Sequence, residues 1–292
     1  MENILESKKI KIASEGDLIM VKYPYNKLYD IRTNEDISEA KVNNEYSTEG
    51  EDGPVGVAEA GRHLAIFGSI HLAKEFNFTT AAYFLATHAI LKRSESNIDD
   101  LDFLFLQVKT IYKEKRKAKI YGEIYSTRKE LIFCVEIEYQ IIQQAIFNKL
   151  FKRNLNTTIS ENEISPYIKR KALKNIIISN NNAKGDYGIV LAEECEGHFK
   201  NYPALPVAII GNLFIDLGIK LFHNNTNNTF NNVKIIHADI KALRLAFSGE
   251  EVYFSTNIKS IISENTINIT GVAKVQDEII STIEFKIKGD KC

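Results

Sequence analysis

The sequence predicts an α+β protein built of two similar halves, on three observations. A helix-length apolar segment occurs twice, at residues 54–73 and 206–222. Each is followed by several runs in which apolar and polar residues alternate, and a polar stretch, NTTISENEISP from Asn156, separates the two sets. Apolar residues around most of a helix's circumference mark a buried helix, whereas period-two alternation marks a strand with one face on a core. The two halves are therefore drawn at 1–155 and 156–292.

In the first half, PVGVAEAGRHLAIFGSIHLA (Pro54 to Ala73) is too apolar all round to lie on a surface, so a buried central helix is expected. Pro54 suits a first helical turn, and Asp52 suits its positive end. The runs YFLATHAILKR, FLFLQVKTIY, KAKIYGEIYST and KELIFCVEIEY follow, rich in β-branched and aromatic residues. They read as antiparallel strands of a curved sheet. Gln140 to Asn154 reads as a helix leaving that sheet. In the second half the helix is PVAIIGNLFIDLGIKLF (Pro206 to Phe222), and the strands are VKIIHADIKALRL, EVYFSTNIKSI, NTINITGVAKV and EIISTIEFKIK. The Asn-rich tracts at Asn180 to Asn182 and from His223 read as loops.

The composition bounds the function. With 292 residues, 44% hydrophobic and 26% charged, the chain can bury a real core. A formal charge of -1 gives no basic field for nucleic acid. The lysines near the N-terminus are not followed by the apolar run of a signal peptide, and no stretch approaches the roughly 20 apolar residues of a membrane span. A cytoplasmic protein without a membrane partner is expected. Cys134, Cys195 and Cys292 are too few for a disulfide framework and form no CxxC pair, so no metal is expected. No phosphate-cradling glycine loop, HExxH or GxSxG is present, and no cofactor is called for.

One segment is more specific. GHFKNYPALP, Gly197 to Pro206, places two prolines five and eight residues after a His in a Gly-His-Phe triplet. It resembles the signature of the β-hydroxyacyl-ACP dehydratases, roughly GHFPxxPxxPG, matching at Gly197, His198, Phe199, Pro203 and Pro206. It departs from the signature at Lys200 and Val207. The resemblance implies a hotdog fold, in which a curved antiparallel sheet wraps one long central helix, and hence a double hotdog, a pseudo-dimer, for the whole chain. It also implies that the loop histidine is the catalytic base, that the central helix carries an acid fourteen residues further on, and that each active site takes its histidine from one hotdog and its acid from the other.

In the second half that acid position is Asn212, with Asp216 one turn beyond. In the first half, EAGRH (Glu59 to His63) resembles the family's acid-bearing turn, with Glu59 as the acid, while Glu45 or Tyr46 stands where a histidine would be. The expectation is one surviving composite site of His198 and Glu59. Arg62, His63, Asn212 and Asp216 are expected around it. Backbone N–H groups at Val207, or at Val55 and Gly56, are candidates to polarise a thioester carbonyl, and Phe199, Tyr202, Leu205 and Phe214 to line an acyl slot. His71, His88, His223 and His237 carry no motif and are read as structural.

These residue types suit dehydration of a 3-hydroxyacyl thioester. A neutral histidine can take the C2 proton, a desolvated glutamic acid can protonate the departing C3 oxygen, and a helix N-terminus can stabilise the enolate. The implied substrate is a thioester of acyl carrier protein or CoA in fatty-acid or polyketide-like biosynthesis. The basic stretches KEKRKAK (from Lys113) and KRKALK (from Lys169) are candidates to meet that carrier. A thioesterase using Glu59 and a non-catalytic acyl- or carrier-binding protein stay open as alternatives. So do a monomer and a homodimer.

Overall fold

The computed structural model describes residues 16–33, 36–43, 45, 50–95, 103–156 and 165–290. Tyr46 and most of the interhalf stretch, residues 157–164, lie outside them. Among the described residues, twelve strands form one antiparallel sheet. In chain order they are β1 (Tyr29–Thr33), β2 (Ile37–Val42), β3 (Ala82–Arg93), β4 (Leu104–Glu114), β5 (Lys117–Tyr125), β6 (Leu131–Gln143), β7 (Lys174–Ile178), β8 (Asn182–Ile189), β9 (Asn232–Ala242), β10 (Glu251–Ser263), β11 (Thr266–Val275) and β12 (Glu278–Asp290). Three longer α-helices among the described residues accompany them: α1 (Val57–Glu75), α2 (Gln144–Leu150) and α3 (Val207–Asn225).

The spatial order is β1-β2-β4-β5-β6-β3-β9-β12-β11-β10-β8-β7. It reads the same from both ends once β1 is matched with β7, β2 with β8, and so on to β6 with β12. The two sets of six meet at β3 and β9, paired antiparallel from His88↔Lys241 to Lys92↔His237. Burial alternates along the strands, as in β5 and β11, so one face of each carries the core and the other faces water. The central helices α1 and α3 lie on the core face and pack on each other.

Both central helices have 19 residues, and matching them end to end sets Gly61 opposite Gly211 and Gly68 opposite Gly218. Gly68 and Gly218 mark where each helix rests on the sheet. A Cβ at Gly68 would stand 2.6 Å from Tyr139 Oη, and one at Gly218 would stand 2.3 Å from Phe285 Cζ. Alanine is the better helix former by about 1 kcal/mol, but overpacking costs about 1–3 kcal/mol. Gly218→Ala is therefore expected to lower the urea midpoint without changing the slope of the transition, and an unchanged midpoint would show that the helix is free to lift off β12.

The structure corrects several expected boundaries. Strand β6 continues to Gln143, and the helix expected from Gln140 shrinks to α2 with a short 3-10 turn at Lys152–Asn154. The alternation of Gln140 to Gln143 continues that of β6, and the ladder to β3 captures it. Pro54 precedes α1, whose N-cap is Gly56, whereas Pro206 is itself the N-cap of α3. Strands β1, β7 and β8 had no counterpart in the periodicity because they are short, polar or glycine-containing. Helix α3 is long and apolar enough to pass for a membrane span by composition, but its apolar surface is mostly buried within the molecule.

Candidate functional site

His198 sits on a loop whose shape is imposed by a second segment of chain. Residues 20–25 cross it: Val21 bridges His198, Lys22 N–H donates to Gly197 O at 2.8 Å, and Lys200 N–H donates to Met20 O at 3.2 Å. Gly197 has φ +77°, and a Cβ there would stand 2.5 Å from Lys22 O. The glycine of the motif is thus required twice, by backbone conformation and by close approach. Pro203 and Pro206 then lead the chain into α3.

The histidine's tautomer follows from its partner. His198 Nδ1 lies 2.8 Å from Ala204 O. A carbonyl can only accept, so Nδ1 carries the proton and Nε2 keeps its lone pair. Burial, and secondarily the Arg62 guanidinium, hold the pKa down to about 4, against a pull upward from the Ala204 hydrogen bond. The ring is neutral at pH 7. Phe199 stacks on it at 4.1 Å between centroids, and Tyr25 meets it edge-on at 4.9 Å.

A folded-state pKa below the unfolded value near 6.5 means that the unfolded chain binds this proton more readily. The contribution to stability is complete above about pH 6.5 and is lost as pH falls towards 4. His63, whose pKa burial also lowers, adds in the same sense. Thermal melts between pH 7.5 and 4.5 should show a falling midpoint, with a shallower fall in His198→Gln. Parallel curves for the two proteins would sink this account.

His198 opens onto a cavity of about 130 Å³, together with Leu205 and Val207 from its own half and Ala65, Ile66 and Ser69 from α1. A second cavity of about 50 Å³ shares Tyr25, Ala65, Val207 and Ala242 with it and runs between the two helices under the β3–β9 seam. Small residues clear this slot: Ala58 and Gly61 on α1, Ala208 and Gly211 on α3, Ala89 on β3 and Ala238 on β9. Among the described residues, no aspartate or glutamate lines either cavity.

Glu59 is elsewhere. It is 1% exposed, accepts from Glu45 N at 2.8 Å and from His63 Nε2 at 3.2 Å, and lines neither cavity. End-to-end matching of α1 and α3 explains the difference, since Arg62, and not Glu59, falls opposite Asn212. The EAGRH resemblance and the end-to-end match give different registers, because α1 starts three residues after Pro54 and α3 directly after Pro206. Arg62 is 1% exposed and lies between the Tyr25 and Tyr167 rings, 4.9 and 4.7 Å from their centroids. It donates to Tyr25 O and pairs with Glu45 Oε2 at 2.9 Å. Burial alone would raise the Glu45 carboxyl, but Arg62 and Lys27 outweigh it and hold the pKa low.

The two helix N-termini differ. At α1 the buried Glu51 carboxylate accepts from Val57 N at 3.0 and 3.2 Å and pairs with Arg93 at 2.5 Å, and a Cβ on Gly56 would reach Glu51 Oε2 at 3.2 Å. Val55 is buried, and its carbonyl accepts from Arg93. Among the described residues no side chain caps the start of α3, and Val207 there lines both cavities. Of the other expected residues, Phe199 and Leu205 line the larger cavity, Tyr202 packs among Tyr83 and Phe147, and Phe214 is core against Phe254. Asn212 is buried on α3, and Asp216 is turned to Arg170. In the basic stretches, Lys113, Lys119 and Lys171 pair with Glu75, Glu136 and Glu194. Sequence reasoning passed over Tyr25 and Ser69, which carry no motif.

This architecture, α+β with one large antiparallel sheet and few helices, is the hotdog fold. Solved structures of similar fold include the 12:0-ACP thioesterase from Umbellularia californica, at 7% identity and TM-score 0.57 over 87% of this chain and 94% of that one. An acyl-ACP thioesterase from Bacteroides thetaiotaomicron is similar at 14% identity and TM-score 0.52, covering 86% and 98%. An acyl-CoA thioesterase II from Mycobacterium marinum is similar at 10% identity and TM-score 0.52, covering 90% and 95%. In sequence, no family model and no curated protein matches the chain.

Proposed function

We propose that the chain is a double hotdog, with halves at 1–155 and 156–292, that acts on acyl thioesters at one site built around His198. The reaction is dehydration of a 3-hydroxyacyl thioester to the 2-enoyl thioester. The observation that carries this is the Nδ1–H···O=C bond of His198 to Ala204, which leaves Nε2 as a base in an apolar cavity beside an uncapped helix N-terminus. The thioester carbonyl lies at the start of α3, where backbone N–H groups around Val207 and the helix dipole stabilise the enolate. The corresponding end of α1 is filled by Glu51, which leaves one working site.

In the proposed step Nε2 takes the C2 proton and the electron pair moves into the thioester carbonyl. As the carbonyl re-forms, C2 and C3 become double-bonded, the C3–O bond breaks, and the imidazolium returns its proton to that oxygen, releasing water. A separate carboxylic acid is not required. With a pKa of about 4 the imidazolium is about as acidic as an ordinary glutamic acid, whose value is near 4.3. Burial and Arg62 thus weaken the base and strengthen its conjugate acid, supplying the acid role expected of Glu59.

A second reading is thioester hydrolysis, with the neutral His198 Nε2 activating water. A departing thiolate, with a pKa near ~8.5, needs little help from an acid. The names of the similar structures point the same way. Incubating the protein with 3-hydroxyacyl and saturated acyl thioesters, and following enoyl absorbance and free thiol together, separates the readings. Enoyl without thiol supports dehydration. Thiol without enoyl supports hydrolysis, and neither signal leaves a binding protein.

A further inference from the structure

Tyr25 belongs to no motif, yet three observations place it at the centre of the site. It lines both cavities, at the point where the His198 chamber joins the slot between the helices. Its ring meets His198 at 4.9 Å and Tyr167 at 5.0 Å, both edge-on, and its carbonyl is held by Arg62 Nε at 3.1 Å and Nη2 at 2.7 Å. Its hydroxyl, on a residue only 5% exposed, forms no hydrogen bond among the described residues.

The hydroxyl keeps accessible surface, so it is open to a ligand and is not sealed in the core. Here the backbone is clamped and the ring is wedged, so the side chain has little freedom to turn towards another partner. Burial lifts its pKa to about 12, so it is a standing donor. Besides Tyr25, the one polar side chain in the described lining of the slot is Arg62, which is engaged with the Pro24 and Tyr25 carbonyls and with Glu45; the rest is alanine, glycine and aliphatic side chain, which suits an unsubstituted acyl chain.

We propose that the Tyr25 hydroxyl is the hydrogen-bond partner of an oxygen carried by the acyl chain close to the thioester, and so selects oxygenated over plain acyl groups. This rests on the reading of the His198 chamber as an acyl-thioester site and names the substrate class within it. Tyr25 comes from the first half, across the loop of the second, so one half supplies the selecting group and the other the base.

The test uses two unreactive probes, 3-hydroxyhexanoyl-pantetheine amide and hexanoyl-pantetheine amide, titrated into the wild-type protein and into Tyr25→Phe, which keeps the ring and its packing. The wild type is expected to prefer the hydroxylated probe by about 10-fold, the worth of one net hydrogen bond. In Tyr25→Phe the preference should vanish, with hexanoyl affinity within about 2-fold and the thermal midpoint unchanged. A preference that survives in Tyr25→Phe, or is absent from the wild type, overturns the proposal. Because the ratio needs no turnover, a selective protein that forms no enoyl product would retire the dehydration reading and leave Tyr25 in place. Failure of both probes to bind would remove the acyl site and this role with it.

Discussion

His198→Ala is expected to lower enoyl-thioester formation by about 10²–10⁴-fold, the usual range for losing a positioned acid–base group. The loss should fall on kcat, since the ring's contribution is made as the proton moves, and KM should change little. The imidazole contributes no long aliphatic surface to the cavity, so the acyl chain keeps its slot. In the dehydration scheme the same ring is base and then acid, so the pH profile should show no separate carboxylic acid. On the acid side, activity should fall as Nε2 is protonated, in the region of pH 4. An alanine variant that retains most of its enoyl formation removes His198 from the chemistry.

Arg62→Met is expected to be the most destabilising single replacement at the site, by about 3–5 kcal/mol, because it leaves the buried Glu45 carboxylate short of a partner. Lys27, 2.5 Å from the other Glu45 oxygen, does not reach the carbonyls of Pro24 and Tyr25 that Arg62 ties down. Arg62→Lys should recover only part of the loss, since an ammonium has neither the planar fork nor the flat face that fits between two tyrosine rings. Pairing Arg62→Met with Glu45→Gln should restore much of the stability, and denaturant midpoints of the single and double variants measure the coupling. If Arg62→Met alone costs less than about 1 kcal/mol, the buried network is not holding the loop. Removing the guanidinium also takes a positive charge away from His198, so the His198 pKa should rise.

The two central helices and most long strands were legible in the sequence because each repeats one local rule many times. The apolar circumference of Pro206 to Phe222 and the alternation of KAKIYGEIYST needed no partner to be recognised. The His198 loop was legible because its glycine and prolines meet backbone demands that few residues satisfy. The Glu59 expectation rested on a local resemblance alone. The helix turn EAGRH looks the same whether it starts three residues earlier or later, and the start of α1 is set by Glu51 and Arg93, which are 42 residues apart. Tyr25 was invisible because its importance comes from contacts with residues 62, 167 and 198, none of them near it in sequence.

The palindromic order of the sheet has a consequence for how such a protein changes. Two identical chains meeting at a β3–β9 seam must copy every substitution into both sites, so a residue that closes one closes the other. A single chain holding both helices escapes that constraint: Glu51 can stop the end of α1 while α3 stays open, and the position of Arg62 on α1 can be matched on α3 by Asn212 instead of by another arginine. It also fixes the stoichiometry of the seam. The strands that complete each other's chamber are present at an effective concentration set by the covalent chain, so the site does not come apart on dilution.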